Sequence, residues 1–108
     1  MWNVDLSIIA KWFKERTKEQ RASIYKRIAL LEELGSELGL PNVRNLKDGL
    51  FELREMGFGY RLYFFFISHS KQIIIVLAAG DKNTQEKDIE KAKQLLKKMQ
   101  EKKNETNS

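Results

Sequence analysis

The spacing of apolar residues changes at Pro41, and this change constrains the fold more than any other feature of the sequence. Before Pro41, apolar residues recur every three or four positions, which is the spacing of an amphipathic helix. After Pro41, they come in short runs rich in aromatic and β-branched side chains, which are typical of strands. The sequence therefore predicts a helical first part, a mainly β second part and an α+β fold.

The helical part predicts two helices joined in a hairpin. The first covers Leu6 to Arg16, with Asp5 or Ser7 as its N-cap. The stretch Thr17-Lys18-Glu19-Gln20 matches a capping box, in which the first and last side chains bind each other's backbone N–H groups. It therefore marks both the turn of the hairpin and the start of the second helix, which is expected to end near Gly35.

The β part predicts an antiparallel meander of three strands, at Leu50 to Glu55, Tyr60 to Ile67 and Gln72 to Ala79, and Met1 to Val4 is a candidate leading strand. The runs FFFI and IIIVLAA lack polar alternation, so we expect the sheet to be covered on both faces for much of its length. A last helix with one apolar stripe begins at Asn83 or Thr84. The predicted fold is a helical hairpin packed on a small antiparallel β-sheet, with a C-terminal helix.

The length and composition of the chain limit the kinds of function that it could have. Residues 1–99 of the 108 are expected to form a single domain, and residues 100–108 a polar, disordered tail. The sequence has no cysteine, which excludes disulfides and thiolate metal sites. It shows neither a signal peptide nor a membrane-spanning stretch, so a cytoplasmic protein with no membrane partner is expected. The net charge of +5 favours a polyanionic partner.

An arginine inside the apolar run GFGYRLYFFF is the leading candidate for a functional residue. Because strand residues alternate faces, Leu62 is expected to point to the core, whereas Arg61 and Tyr63 point the other way. On the preceding strand, the same alternation places Glu52 and Arg54 on the outward side. The two arginines are therefore expected to share a surface.

Three further side chains extend this candidate site. Lys82 immediately precedes the last helix, where free amide donors and the helix dipole attract a phosphate. Lys47, in the loop LKDG, would add a cation, and Gln85 on the first turn of the helix would add a hydrogen-bond donor. Together with Arg54 and Arg61, these residues predict a basic pocket of the size of a phosphate.

A structural interpretation competes with this functional one. Arg61 could pair with Glu52 or Glu55 across the sheet, a contact worth about 0.2–1 kcal/mol if exposed, and Arg54 could pair with Glu52 on its own face. Lys82 and Lys47 could be solvated loop lysines. The single histidine, His69, lies in a polar turn and is expected to be a surface residue. Since carboxylates at ligand spacing are also lacking, no metal site and no cofactor are predicted.

The stretches LKDGLFELR, GYR and GDKNTQEKDI, in this order, resemble the HigB/RelE superfamily of type II toxins, in particular the phage-derived subfamily of addiction module killer proteins. The resemblance covers the chain from about the first helix to Leu96. It implies a toxin that acts as an mRNA interferase, an endoribonuclease that cuts mRNA in the ribosomal A site through metal-independent attack of a 2′-hydroxyl on the adjacent phosphate. It also implies a cognate antitoxin, usually a small helix-turn-helix protein, through which the complex would bind DNA.

The same resemblance assigns the catalytic cations. Arg61 of GYR would contact the scissile phosphate, with Arg54 and Lys82 beside it. Four residues are expected to bind the substrate: Lys47, Gln85, Tyr63 and Asp88. Asp88 stands where RelE has a tyrosine with a proton-transfer role, and Glu52 stands where RelE has a lysine. The general acid and base are therefore unassigned.

Two other functions are consistent with the sequence. A ParE-like toxin on the same scaffold would inhibit DNA gyrase by protein–protein binding, although such a toxin does not need clustered cations on one face of the sheet. A toxin relic would bind a partner or RNA without cutting it. The cluster of basic residues favours the nuclease.

Overall fold

The computed structural model describes residues 1–106 of the chain and the side chains of residues 1–101. The helices are α1 (Ala10–Lys14), α2 (Lys18–Leu34) and α3 (Gln85–Thr106). The strands are β1 (Asn3–Asp5), β2 (Val43–Asn45), β3 (Phe51–Glu55), β4 (Tyr60–Ser68) and β5 (Ile73–Gly80). Short 3₁₀ turns cover Ser7–Ile9, Gly35–Glu37 and Lys82–Thr84. The predicted α+β fold, with a helical hairpin and a C-terminal helix, is confirmed.

The strands form one five-stranded sheet in the order β1-β5-β4-β3-β2. Its centre is the predicted antiparallel meander of β3, β4 and β5. Two three-residue strands extend it, because β1 pairs parallel to β5 and β2 pairs antiparallel to β3. The candidate leading strand is thus present, but its parallel pairing makes the sheet mixed rather than purely antiparallel. Strand β2 was not predicted, since three residues carry no recognisable alternation.

The helical hairpin forms largely as its capping signals predict. The hydroxyl of Thr17 accepts a hydrogen bond from the backbone N–H of Gln20 at 3.1 Å, and Oε1 of Gln20 accepts one from the N–H of Thr17 at 2.8 Å. Helix α2 ends at Gly35, whose φ of 53° lies in the left-handed region that favours glycine. The first helix is shorter than predicted, because the 3₁₀ turn Ser7–Ile9 takes its first residues.

The face of the sheet beneath the helical hairpin, called the hairpin face, is filled by apolar side chains. Ile24, Ile28 and Leu31 of α2 pack in one cluster with Leu62 and Phe64 of β4. Full burial of a side chain of this size stabilises the fold by about 1.5–3 kcal/mol. Burial of this cluster therefore stabilises the packing of the hairpin on the sheet, and β4 is oriented as the alternation predicts.

The opposite face, called the α3 face, is covered by the C-terminal helix. Phe65 and Leu77 of the sheet pack with Ala92 and Leu96 of α3. The prediction that both faces are covered is thus confirmed. The prediction that Glu52 and Tyr63 point outward is wrong, because α3 lies over their face and both are 0% exposed.

The C-terminal helix is longer than expected. It continues through Thr106 and so includes residues 100–106 of the stretch predicted to be a disordered tail. Residues 107 and 108 of that stretch lie outside the described residues. Within residues 1–106, no helix combines the length and the apolar character needed to cross a membrane.

Candidate active site

Three cationic residues meet where β3 ends, β4 begins and β5 ends. Arg54 lies directly opposite Arg61 in the pair of β3 and β4, and Arg61 lies opposite Gly80 of β5. Opposed residues of antiparallel strands have Cα atoms about 4.5–5.5 Å apart. Lys82 follows Gly80 by two residues and begins the 3₁₀ turn that leads into α3. The fold therefore brings Arg54, Arg61 and Lys82 to the same end of the sheet.

Arg61 is half-buried, and no carboxylate among the side chains of residues 1–101 forms an ion pair with it. The alternative prediction of a pair with Glu52 or Glu55 is therefore wrong. Glu52 binds other arginines, and Glu55 accepts hydrogen bonds from neutral donors on the hairpin face. A partly desolvated guanidinium of this kind retains its donors for an anionic ligand.

Glu52 is the centre of a hydrogen-bond network on the α3 face. Its Oε1 accepts from Nε of Arg54 at 3.0 Å, and its Oε2 accepts from Nη2 of Arg44 at 3.3 Å and from Nε2 of Gln85 at 3.0 Å. A buried carboxylate is stable only when charged and polar donors replace its hydration in this way. The network orients Arg54 and ties β3 to the first turn of α3. Since Arg54 uses only Nε, its Nη groups remain as donors for a ligand.

Tyr63 lies beside this network as a buried phenol. Its hydroxyl has no hydrogen-bond partner within the part of the chain whose side chains are described. Burial raises the pKa of Tyr63 above its usual value, and the nearby charges of Glu52 and Asp88 raise it further, while Arg61 acts in the opposite direction. Tyr63 is therefore neutral, and the exposed position predicted for it is wrong.

The start of α3 is held tightly against the end of β5. Asp81 caps the 3₁₀ turn by accepting hydrogen bonds from the backbone N–H groups of Asn83 at 2.8 Å and Thr84 at 3.2 Å. The hydroxyl of Thr84 in turn donates to Asp88. A Cβ atom at Gly80 would lie 2.0 Å from Oδ2 of Asp88 and 2.3 Å from Oγ1 of Thr84. Only a glycine allows this approach, which sets the half-buried Asp88 carboxylate beside the end of β5.

The remaining predicted site residues divide into two groups. Gln85 joins the site through its bond to Glu52. Lys82 lies at the site with an exposed side chain. Lys47 does not join it, because the loop between β2 and β3 lies at the opposite end of β3 from Arg54. The three cations predicted to form the pocket therefore lie at one end of the sheet, and Lys47, predicted as an additional cation, does not lie with them.

Two residues of this region were missed in the sequence. Arg44 could not be found, since the strand that carries it was not recognised and its contact with Glu52 depends on strand pairing. Asp81 carried a usable signal, because an acidic residue three positions before a threonine has the spacing of a helix cap.

The fold is similar to solved structures of toxins from E. coli. A double mutant of the E. coli toxin RelE in the free state matches with a TM-score of 0.57 at 16% identity, over 83% of this chain and 94% of that chain. RelE in the intact E. coli RelBE toxin–antitoxin complex matches with a TM-score of 0.56 at 18% identity, over 75% of this chain and 94% of that chain. At this identity, the likeness establishes the fold.

Sequence similarity identifies a relative from another organism and a protein family. An uncharacterized protein of Haemophilus influenzae is 44% identical over 55 residues, which are 50% of this chain and 54% of the relative. The chain thus matches about half the length of this curated relative. The family model of the phage-derived Gp49-like proteins (DUF891) matches residues 11–97, which contain α2, α3 through Lys97 and the whole cation site. The chain belongs to this phage-derived Gp49-like family.

Proposed function

We propose that this protein is the toxin of a type II toxin–antitoxin module, of the HigB/RelE kind, and that it cleaves mRNA in the ribosomal A site. One observation carries the proposal: Arg54 and Arg61 are opposed across two strands, and Lys82 begins the turn beyond the third. Arg61 has no carboxylate partner among the described side chains. The RelE-like fold and the phage-derived family support the same function.

The proposed reaction needs no bound group besides the RNA. The ribose 2′-oxygen attacks the adjacent phosphorus, and the bond from phosphorus to the 5′-oxygen breaks, which leaves a 2′,3′-cyclic phosphate and a 5′-hydroxyl. Negative charge develops on the phosphate oxygens in the transition state. Arg61, Arg54 and Lys82 would stabilise this charge. The two arginines are partly buried, and cationic donors in a partly desolvated site act more strongly than in water.

Proton transfer places a further demand on the site. The 2′-hydroxyl must lose a proton and the leaving 5′-oxygen must gain one. Asp88 supplies a carboxylate at the site, held by the hydroxyl of Thr84, and Gln85 supplies an amide already oriented by Glu52. We assign both residues to binding of the substrate, with Asp88 as a hydrogen-bond acceptor beside the end of β5.

A cognate antitoxin is part of the proposal. The E. coli RelBE complex pairs a protein of the same fold with an antitoxin. For this chain we expect a small helix-turn-helix protein encoded next to it, which would mask the basic site and through which the complex would bind DNA. Co-purification of the two proteins would test this partner.

The substitution Arg61→Ala tests the activity. Growth inhibition on induction is expected to disappear, and primer extension on translated mRNA should show cleavage reduced by at least about 100-fold, since loss of one transition-state donor costs this much in other enzymes. The control Lys71→Ala removes an exposed cation of the turn between β4 and β5, at the other end of the sheet, and should cut mRNA normally.

Two outcomes would contradict the proposal. One is unaltered toxicity of a soluble Arg61→Ala protein that still binds its antitoxin. The other is intact mRNA together with double-strand DNA breaks after induction of the unmodified protein, which would identify a ParE-like gyrase inhibitor.

A further inference from the structure

An open cleft of about 600 Å³ lies along the outer edge of β5, beside the cation site. Strand β1 pairs only with Ile73, Ile74 and Ile75, so no strand within residues 1–106 covers the second half of this edge. The 3₁₀ turn Ser7–Ile9 and α1 form one wall, and the start of α3 forms the other. The volume is within the range of about 300–1,000 Å³ that is usual for small-ligand sites.

One residue that lines the cleft is an arginine whose guanidinium lies close to two aromatic rings. The guanidinium carbon of Arg16 lies 4.7 Å from the ring centroid of Trp12 and 5.6 Å from that of Tyr60. Its Nε donates to the carbonyl oxygen of Trp12 at 3.1 Å, and its Nη1 donates to the hydroxyl of Tyr60 at 3.4 Å. These contacts hold the guanidinium in place and leave Nη2 unused. An arginine that is already ordered loses little entropy when it binds a phosphate or stacks on a base.

The charges that line the cleft are of both signs. Lys11 of α1 and Lys91 of α3 add exposed cations from opposite walls, and Glu15, Asp81 and Asp88 add carboxylates. A simple anion would be repelled by the carboxylates, whereas a simple cation would be repelled by the arginine and lysines. A nucleotide satisfies both sets, because its phosphate binds cations and the amino groups of its base donate to carboxylate oxygens.

The cleft adjoins the candidate active site, although Arg54, Arg61 and Lys82 do not line it. Gly80, Thr84 and Asp88 line it, and Gly80 is the residue opposite Arg61 in the sheet. We propose that the cleft binds one nucleotide of the RNA, the one that flanks the bond cut at Arg61, with its phosphate on Arg16 and its base toward Asp88. This inference rests on the proposed nuclease function for the identity of the RNA, but nucleotide binding by the cleft is measurable without cleavage.

The test uses the full chain and an RNA trinucleotide with 2′-O-methyl riboses, which lacks the attacking hydroxyls and is not cut. The protein contains two tryptophans, of which Trp12 lines the cleft and Trp2 packs against Phe66 and His69 at the other end of the sheet. In ¹H–¹⁵N spectra, the indole signal of Trp12 should shift on titration, while that of Trp2 stays unchanged.

Matched variants locate the binding. Arg16→Gln, and separately the double variant Lys11→Ala with Lys91→Ala, should each weaken the trinucleotide affinity by about tenfold, the size of effect found for single stacking or cationic contacts. The control double variant, Lys26→Ala with Lys93→Ala, removes the same charge from exposed positions outside the cleft and should change the affinity by less than about twofold. The lysine variants alter only exposed side chains, so folding is preserved.

The failures of the two proposals are distinguishable. An unchanged Trp12 signal, or equal affinities of the lysine variant and its control, would overturn the cleft proposal even if the protein cuts mRNA. Trinucleotide binding in the cleft by a protein that leaves translated mRNA intact would contradict the nuclease and support the cleft as a nucleotide site.

Discussion

Glu52 and Glu55 are both buried on β3, three residues apart, but they point to opposite faces of the sheet. On the hairpin face, Glu55 accepts hydrogen bonds from the backbone N–H of Phe58 at 3.0 and 3.1 Å and from the hydroxyl of Ser23 at 3.0 Å. On the α3 face, the partners of Glu52 are two guanidinium groups and an amide. Burial alone therefore does not mark a functional carboxylate. The two carboxylates differ in the donors that bind them: neutral donors bind Glu55, which closes a turn, whereas mainly cationic donors bind Glu52, which orients side chains of the candidate site.

The substitution Glu52→Ala should have the largest effect on stability. It removes the acceptor of three donors and leaves neighbouring cations without compensation. Removal of one partner of a fully buried ion pair costs about 3–5 kcal/mol. Because the side chains of Arg44 and Arg54 are 40% and 32% exposed, we expect a smaller loss of about 2–3 kcal/mol in the free energy of unfolding, measured with urea.

The variant Glu52→Gln is the control, since it removes the charge but keeps one of the two acceptor oxygens, the other being replaced by an NH2 group. It should recover part of the lost stability. Equal stability of Glu52→Ala and the unmodified protein would show that the network contributes nothing to folding.

Glu55→Ala should cost less, about 1–2 kcal/mol, because its donors are neutral and one of them belongs to an exposed turn. The comparison predicts a difference in function as well. Cleavage per folded molecule should be normal for Glu55→Ala and reduced for Glu52→Ala, in which Arg54 and Gln85 lose their common acceptor. Equal cleavage by the two variants, assayed at matched concentrations of folded protein, would remove the distinction between the carboxylates.

Tyr63→Phe should have the smallest effect at neutral pH, a gain of at most about 1 kcal/mol, because it removes a buried hydroxyl that has no partner among the described side chains. The raised pKa of Tyr63 makes the effect dependent on pH. Above about pH 10, tyrosine loses its proton in the unfolded chain while Tyr63 keeps its proton in the folded one, so the stability of the unmodified protein falls as the pH rises.

Urea unfolding at pH 9 and above would test this prediction. The alkaline loss of stability should be smaller in Tyr63→Phe. It should persist in the control Tyr25→Phe, whose side chain is 53% exposed. An identical loss of stability at high pH in all three proteins would show that Tyr63 is not its cause.

The elements with strong local signals were predicted from the sequence. The capping box at Thr17 predicted the start of α2, and alternation along β3 and β4 oriented Leu62 to the core and placed Arg61 on the same face as Arg54. These features depend on residues close in the chain or on the period of a strand. The sequence could therefore supply the fold class and the pair of arginines at the candidate site.

The features that depend on docking were not predicted. The stripe of α3 was recognisable, but the side of the sheet that it covers was not, so Glu52 and Tyr63 were assigned to solvent. Lys47 appeared close to the arginines because its loop precedes β3, whereas the pairing of β2 with β3 turns that loop to the far end of the sheet. Short strands and helix placement are decided by tertiary contacts, which a local pattern does not contain.

Because residue 80 is a glycine, the side chains of two residues further along the chain can pack closely against its backbone. A Cβ atom there would overlap the carboxylate of Asp88 and the hydroxyl of Thr84, so a larger residue at 80 requires these two side chains to move. Homologues that keep an aspartate at 88 and a threonine at 84 are expected to keep the glycine, whereas those with a larger residue at 80 are expected to show other side chains, other rotamers or a displaced helix at the other two positions. Covariation of residues 80, 84 and 88 would then distinguish sequences that share this arrangement at the start of α3 from those that share only the fold.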